Sequence, residues 1–172
     1  MKIPRTFIPE KDLTKEVSEY LKDKPTSLYD HVSSVYEGSG QNNIFLLYGP
    51  PGSGKTSTST KTKETLSGNY DLSHIVLQPT DPFSIETGRE YFRGINMKIA
   101  KALASNKKVY IDIMHIEKFK KLAQEALDAI LIKYKKNKEV VFVIESYHKH
   151  NWSSSVISFQ DNTVKGIEFT KE

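Results

Sequence analysis

Residues Gly49, Pro50, Pro51, Gly52, Ser53, Gly54, Lys55 and Thr56, continued by Ser57, read GPPGSGKTS. A glycine, four open positions and then Gly-Lys-Thr is the spacing of a phosphate-binding loop. Glycines let such a backbone curl until several N–H groups point inward at a β-phosphate. A helix that follows adds the positive end of its dipole. The Lys55 ammonium is then placed to reach β- and γ-phosphates, and the Thr56 hydroxyl to ligate Mg2+. Gly49 to Ser57 are therefore the candidate nucleotide site, with ATP and Mg2+ as the expected ligands. A Gly/Pro turn matches the same spacing by chance, so the context decides. "NIFLLYG" (43–49) is a continuous apolar run of the kind that forms a strand buried on both faces. A helix is expected from about Gly54 to Leu66, with Gly68 as its stop.

An ATP site of this kind also needs acids at the ends of later strands. "VYIDI" offers Asp112 as a second Mg2+ ligand and catalytic-site candidate; the alternative is a strand-end acid facing solvent. The residue after it is Ile113, where many such ATPases carry a water-activating Glu. The nearest acids are Glu117 and Glu145, the latter closing "VFVIES". Glu145 is the candidate catalytic acid beside the γ-phosphate, or else a surface acid. His115, His148 and His150 bring no clear third ligand to a metal reading. Arg is confined to Arg5, Arg89 and Arg93. Nucleotide kinases use several Arg to hold a transferring phosphate, which weighs against that class.

The elements that must position these residues follow from periodicity. "DLTKEVSEYLKDK" (12–24) and "SLYDHVSSVYEG" (27–38) read as short helices. "HIVLQP" (74–79) reads as a second buried strand. A helix is expected over about 86–105, with Tyr91, Ile95, Ile99, Ala102 and Leu103 as its apolar stripe. "KKVYIDIMHI" holds a third strand. "EKFKKLAQEALDAILIKYKK" follows a 3.6-residue period through Phe119, Leu122, Ala123, Ala126, Leu127, Ile130, Leu131 and Tyr134. "EVVFVIES" is a fourth strand, and "SVISF" (155–159) and "KGIEF" (165–169) are short strand candidates. The polar patch "TSTSTKTK" (56–63) falls where the helix after the loop begins, and its hydroxyls are expected to serve orphan N–H groups of a first turn. Alternating apolar strands and helices predict an α/β domain with a largely parallel sheet and helices on both faces. The expected organisation is a single domain over 1–172, with a helical N-terminal segment (1–40) and an αβα core (41–172).

The 172 residues suit one core. No apolar run approaches the roughly 18 residues of a membrane span, and the N-terminus shows no signal-peptide pattern. The absence of Cys excludes disulfides and zinc thiolate sites and fits an intracellular compartment. Net charge is +4, but it is uneven: eleven Lys against four acids give +7 between Lys98 and Lys138, leaving −3 elsewhere. Such a stretch is either an electrostatic footprint for nucleic acid or a solvated lysine-rich face.

The order of parts resembles the AAA+ ATPases, and within them the clamp loaders related to replication factor C. "FIPEKDL", "NIFLLYGPPGSGKTSTSTKTKETL" and the block "KKVYIDIMHIEKFKKLAQEALDAILIKYKKNKEVVFVIES" are similar to their N-terminal, phosphate-loop and Asp-strand-to-sensor segments. "HIVLQPTDPF" and "SSSVISFQDNTVKGIEF" resemble the checkpoint clamp-loader large subunit. The resemblance implies a P-loop, AAA+-like three-layer fold. It implies small replication factor C-like subunits and a ring-shaped checkpoint clamp as partners, weak contact with DNA by the chain alone, a role in DNA damage checkpoint and repair, and a nuclear location. The chain departs from hydrolysing clamp loaders at Asp112-Ile113, at Glu145-Ser146, and in having no Arg in "WSSSVISF"; the helical lid and collar have no counterpart. These departures imply ATP binding as a conformational switch, with at most weak hydrolysis by the chain alone. The rival expectation is a free-standing small P-loop ATPase or a nucleotide or polynucleotide kinase.

Overall fold

The computed structural model describes residues 27–78, 85–119, 121–148 and 164–170. The helix expected over 12–24 and the strand over 155–159 lie outside them. Helix α1 spans Ser27–Tyr36. Strand β1 is Ile44–Tyr48, followed by the phosphate-loop segment and by helix α2, Lys55–Ser67. Then come β2 (Leu72–Leu77), α3 (Ile85–Ala104) and β3 (Lys108–Ile113). A 3-10 turn at Ile116–Lys118 precedes α4 (Lys121–Tyr134), β4 (Val140–Ser146) and β5 (Val164–Glu168).

The strands form one sheet in the order β2-β3-β4-β1-β5, every pair parallel. The expected α/β three-layer fold is therefore present. Alternation along each strand sends side chains to opposite faces, and each face meets its own pair of helices. Ile44, Leu46, Val109, Ile111, Ile113, Phe142 and Ile144 pack against α3 and α4. Phe45, Leu47, Tyr110, Val141 and Val143 pack against α1 and against Leu66 of α2. Asn43 fixes the lower edge of the sheet. Its buried Nδ2 donates to the carbonyls of Tyr134 and Val140, both at 2.8 Å, and its Oδ1 accepts from the Lys136 N–H at 3.0 Å. One side chain thus ties β1 to the end of α4 and the start of β4.

Three expectations change. β2 is an outer strand rather than a buried one: His74 and Val76 are exposed while Ile75 and Leu77 are buried. Its mixed apolar run carries one covered face only. The stripe of α3 is led by Phe92, Ile95, Ile99 and Ala102, and the side chain of Tyr91 lies outside the description. The helix expected from Glu117 onward is divided, because Phe119 has extended backbone (φ −74°, ψ 142°) between the 3-10 turn and α4.

Candidate nucleotide-binding site

The phosphate loop leaves the C-terminal end of β1, whose neighbours in the sheet are β4 and β5. Parallel sheets gather their strand ends on one edge, so β4 and β3 also deliver their last residues there. Two glycines give the loop its path. Gly54 caps α2 in the left-handed region at φ 96° and makes no side-chain cap bond, a conformation that costs a Cβ-bearing residue roughly 1 kcal/mol or more. Gly49 lies against Phe169, whose carbonyl oxygen a Cβ at that position would strike. Hydrogen bonds from Gly49 N–H to the Ser146 carbonyl (3.2 Å) and from Phe169 N–H to the Tyr48 carbonyl (2.7 Å) pin the loop base between its neighbours.

Lys55 and Thr56 open α2. The Lys55 side chain is only 5% exposed. Its Nζ donates to the carbonyls of Gly49 (2.6 Å) and Pro50 (2.9 Å) and approaches Ser53 Oγ at 3.4 Å. Burial pushes the Lys55 ammonium down, and the Glu145 and Glu117 carboxylates partly restore it. Thr56 Oγ1 donates to Glu145 Oε1 at 2.5 Å. Glu145 is 1% exposed, so it is not a surface acid. Burial holds its carboxyl above the usual range, with Asp112 and Glu117 acting in the same direction and the Thr56 bond and Lys55 opposing. Pro50, Pro51 and Gly52 are exposed, Ser53 and Gly54 half-buried, and Ser57 exposed on the first turn of α2.

Asp112 is 7% exposed and does not face solvent either, but it is held away from Thr56. Ser59 Oγ donates to Asp112 Oδ1 at 2.5 Å, and His74 Nε2 lies 2.9 Å from Oδ2. Since the single Ser59 hydrogen points at Asp112, the Tyr110 hydroxyl, 2.7 Å away, is the donor to Ser59. Strand register gives the reason. Asp112 pairs with Val143, two residues before Glu145, whereas Glu145 pairs with Leu47 at the base of the loop. At a rise of about 3.3 Å per residue, Asp112 sits about 6–7 Å lower on the same face. Ile113 is fully buried and belongs to the opposite face, among the side chains of α3 and α4.

Sequence reasoning missed the Ser59, Tyr110 and His74 network. The signal lay in the polar patch. Lys55, Ser59, Thr62 and Leu66 are the buried residues of α2, spaced at i, i+4, i+7 and i+11, a core-facing stripe written in polar residues. The Ser59 hydroxyl serves the sheet face rather than the cap. A second missed group rims the loop. Tyr147 lies beneath two ammoniums, Lys55 at 5.3 Å and Lys118 at 5.7 Å from its ring centre. Glu117 Oε2 accepts from the Tyr147 N–H at 3.4 Å, while Glu117 Oε1 and His115 Nδ1 are buried without a hydrogen-bond partner. Burial, followed by Lys118, lowers the His115 pKa. No group of three metal-ligating side chains occurs among the described residues; His150 lies outside them.

A parallel sheet in this order, carrying a Gly-Lys-Thr loop at the end of β1 and acids on its neighbours, defines a P-loop NTPase domain with an AAA+-like fold. The KAP family P-loop domain matches residues 25–162, and the chain belongs to that family. Members of the P-loop class bind nucleotides, typically with Mg2+. No curated protein matches the chain. Among solved structures, PCH-2 of C. elegans is similar at a TM-score of 0.58 and 18% identity, over 93% of this chain and 44% of that one. The RuvB Holliday junction branch migration motor of Thermotoga maritima is similar at a TM-score of 0.52 and 17% identity, over 96% and 46%. The P216G variant of that RuvB gives 0.53 and 16%, over 95% and 46%. The chain thus spans less than half the length of these structures. They share its fold, and the family found is the KAP family rather than replication factor C.

Proposed function

We propose that this chain is an ATP-binding module in which nucleotide binding acts as a conformational switch and hydrolysis is slow. The observation that carries this is the Thr56–Glu145 bond beside Lys55. It places a hydroxyl, a buried carboxylate and an ammonium together at the mouth of the loop. Oxygen donors of this type suit Mg2+, so Thr56 and Glu145 would hold it, with Asp112 supporting the site from below through Ser59. The ion would supply charge neutralisation for the phosphates of a bound nucleotide. Lys55 binds the same phosphates, giving up the carbonyls of Gly49 and Pro50 and its place over Tyr147. That exchange links the nucleotide to the ends of β3 and β4, because Tyr147 also meets Lys118 and Glu117.

Slow turnover rests on side-chain placement. Ile113 faces the core, and Glu145 is engaged by Thr56. Arg93, the one arginine whose side chain is described, is exposed on α3. An arginine finger is worth about 10³–10⁵ in rate where one is used. Steady-state phosphate release with Mg2+ tests the reading against Lys55→Ala and Glu145→Gln. Turnover well below the ~1 s⁻¹ of ordinary enzymes is expected. A rate near that value, abolished by both substitutions, would make this a self-sufficient ATPase with Glu145 as its base.

The finer reading is a module of a DNA damage checkpoint clamp loader in the nucleus, joining small replication factor C-like subunits and a ring-shaped clamp on DNA. Its support is the segment resemblance in the sequence. Affinity capture from native extract with mass spectrometry tests it: small replication factor C subunits are the expected co-purifying proteins, and their absence removes this level while leaving the switch intact.

A further inference from the structure

A cleft of about 610 Å³ runs between the outer strand β2 and helix α3, far along the sheet from the phosphate loop. One wall is basic. Among the described residues that line it, Lys98 and Lys101 of α3 stand with Lys107 against one acid, Glu90. The other wall is main chain. The Asp71 and Leu77 carbonyls accept from Lys108 and Met114 N–H groups of the β3 side, so by the two-residue period of a strand the N–H and C=O groups of Leu72, His74 and Val76 point outward. Among the described residues no strand pairs with them. Val76 lines the cleft through its outward main chain, its side chain standing on the opposite face of β2 with His74. The floor is kept open by Gly94. It sits in mid-helix at a cost of about 1 kcal/mol relative to Ala, yet a Cβ there would meet nothing within 4 Å.

We propose that this cleft docks an acidic peptide in extended conformation, added as a sixth strand beside β2. An open strand edge offers alternating donors and acceptors, which another peptide backbone matches in register. Alternate side chains of that peptide would stand on the α3 side, where carboxylates meet Lys98, Lys101 and Lys107. A nucleic-acid backbone fits less well, because its phosphates only accept hydrogen bonds and the β2 carbonyls would repel them. A second copy of this chain paired edge to edge would set its own lysines against these, the usual way such edges are kept apart.

The probe is a fluorescent, N-acetylated octapeptide of alternating Glu and Val, titrated against the full chain by anisotropy, with alternating Lys and Val as control. The Glu peptide is expected to bind and the Lys peptide not. Lys98→Glu with Lys101→Glu should weaken binding at least tenfold. Val76→Pro should do the same, since it removes an outward N–H that β2 does not use for β3. ATP binding should persist in both. Gly94→Leu, which leaves the strand untouched, should also weaken the peptide by filling the cleft. The proposal is overturned if the acidic peptide binds no better than the basic one, or if Val76→Pro and Gly94→Leu leave its affinity unchanged. It is overturned equally if duplex DNA, and not the peptide, binds and is lost with the two lysines.

Discussion

Glu145 is a buried acid whose charged form burial disfavours. Its carboxyl is raised chiefly by burial, so the folded chain stays protonated there to higher pH than the unfolded chain does. The stability this contributes is present below the ordinary carboxylate range and is lost as pH rises through the raised value. Glu145→Gln keeps an acceptor for Thr56 and removes the buried charge. Thermal unfolding from about pH 4 to about pH 8 should show the variant gaining on wild type as pH rises; parallel curves would mean that Glu145 ionises without cost. Glu117 stands on the 3-10 turn beside Tyr147. Its carboxylate lies close enough to Lys55 and Glu145 to influence both, and it repels an arriving polyphosphate. Glu117→Gln should tighten ATP by about two- to fivefold, roughly 0.4–1 kcal/mol, measured by calorimetry. Weaker binding would show that Glu117 holds Tyr147 in a binding-competent position instead.

At the scale of elements, the loop was legible because strand, glycines, Lys-Thr and helix lie together in sequence. The acids were not, because their heights on the sheet depend on register between β3, β4 and β1, which no local pattern states. Asp112 and Glu145 look alike as strand-end acids, yet pairing places only Glu145 beside Thr56. Ile113 makes the same point. Its position after Asp112 suggests a missing catalytic Glu, but alternation turns it into the core of α3 and α4. Ile113→Glu should therefore create no ATPase. A buried unpaired carboxylate should destabilise the domain by about 3 kcal/mol or more, read as loss of a cooperative urea transition near the wild-type midpoint. A folded variant with raised turnover would refute that placement. The outer position of β2 was equally hidden, since its "HIVL" run reads as buried until the strand order among the described residues leaves one side unpaired.

At the scale of the whole molecule, the five parallel strands of the described residues bring the loop, Glu145 and the Tyr147 group to one edge, while the basic cleft lies along the outer strand. The +7 stretch is thereby divided. Lys98, Lys101 and Lys107 share the cleft, and Lys118 stands over Tyr147 at the loop. Charge counted along the chain does not separate these two surfaces; folding does. Nucleotide binding at the loop is the property on which the switch reading depends, and Lys55 is the side chain placed for it. Calorimetric titration of Mg-ATP into wild type and Lys55→Ala is the direct measurement. Loss of a charge-assisted contact of roughly 1.5–3 kcal/mol should weaken binding about ten- to a hundredfold with the fold intact. Equal affinity for the two proteins would show that ATP does not bind at this loop.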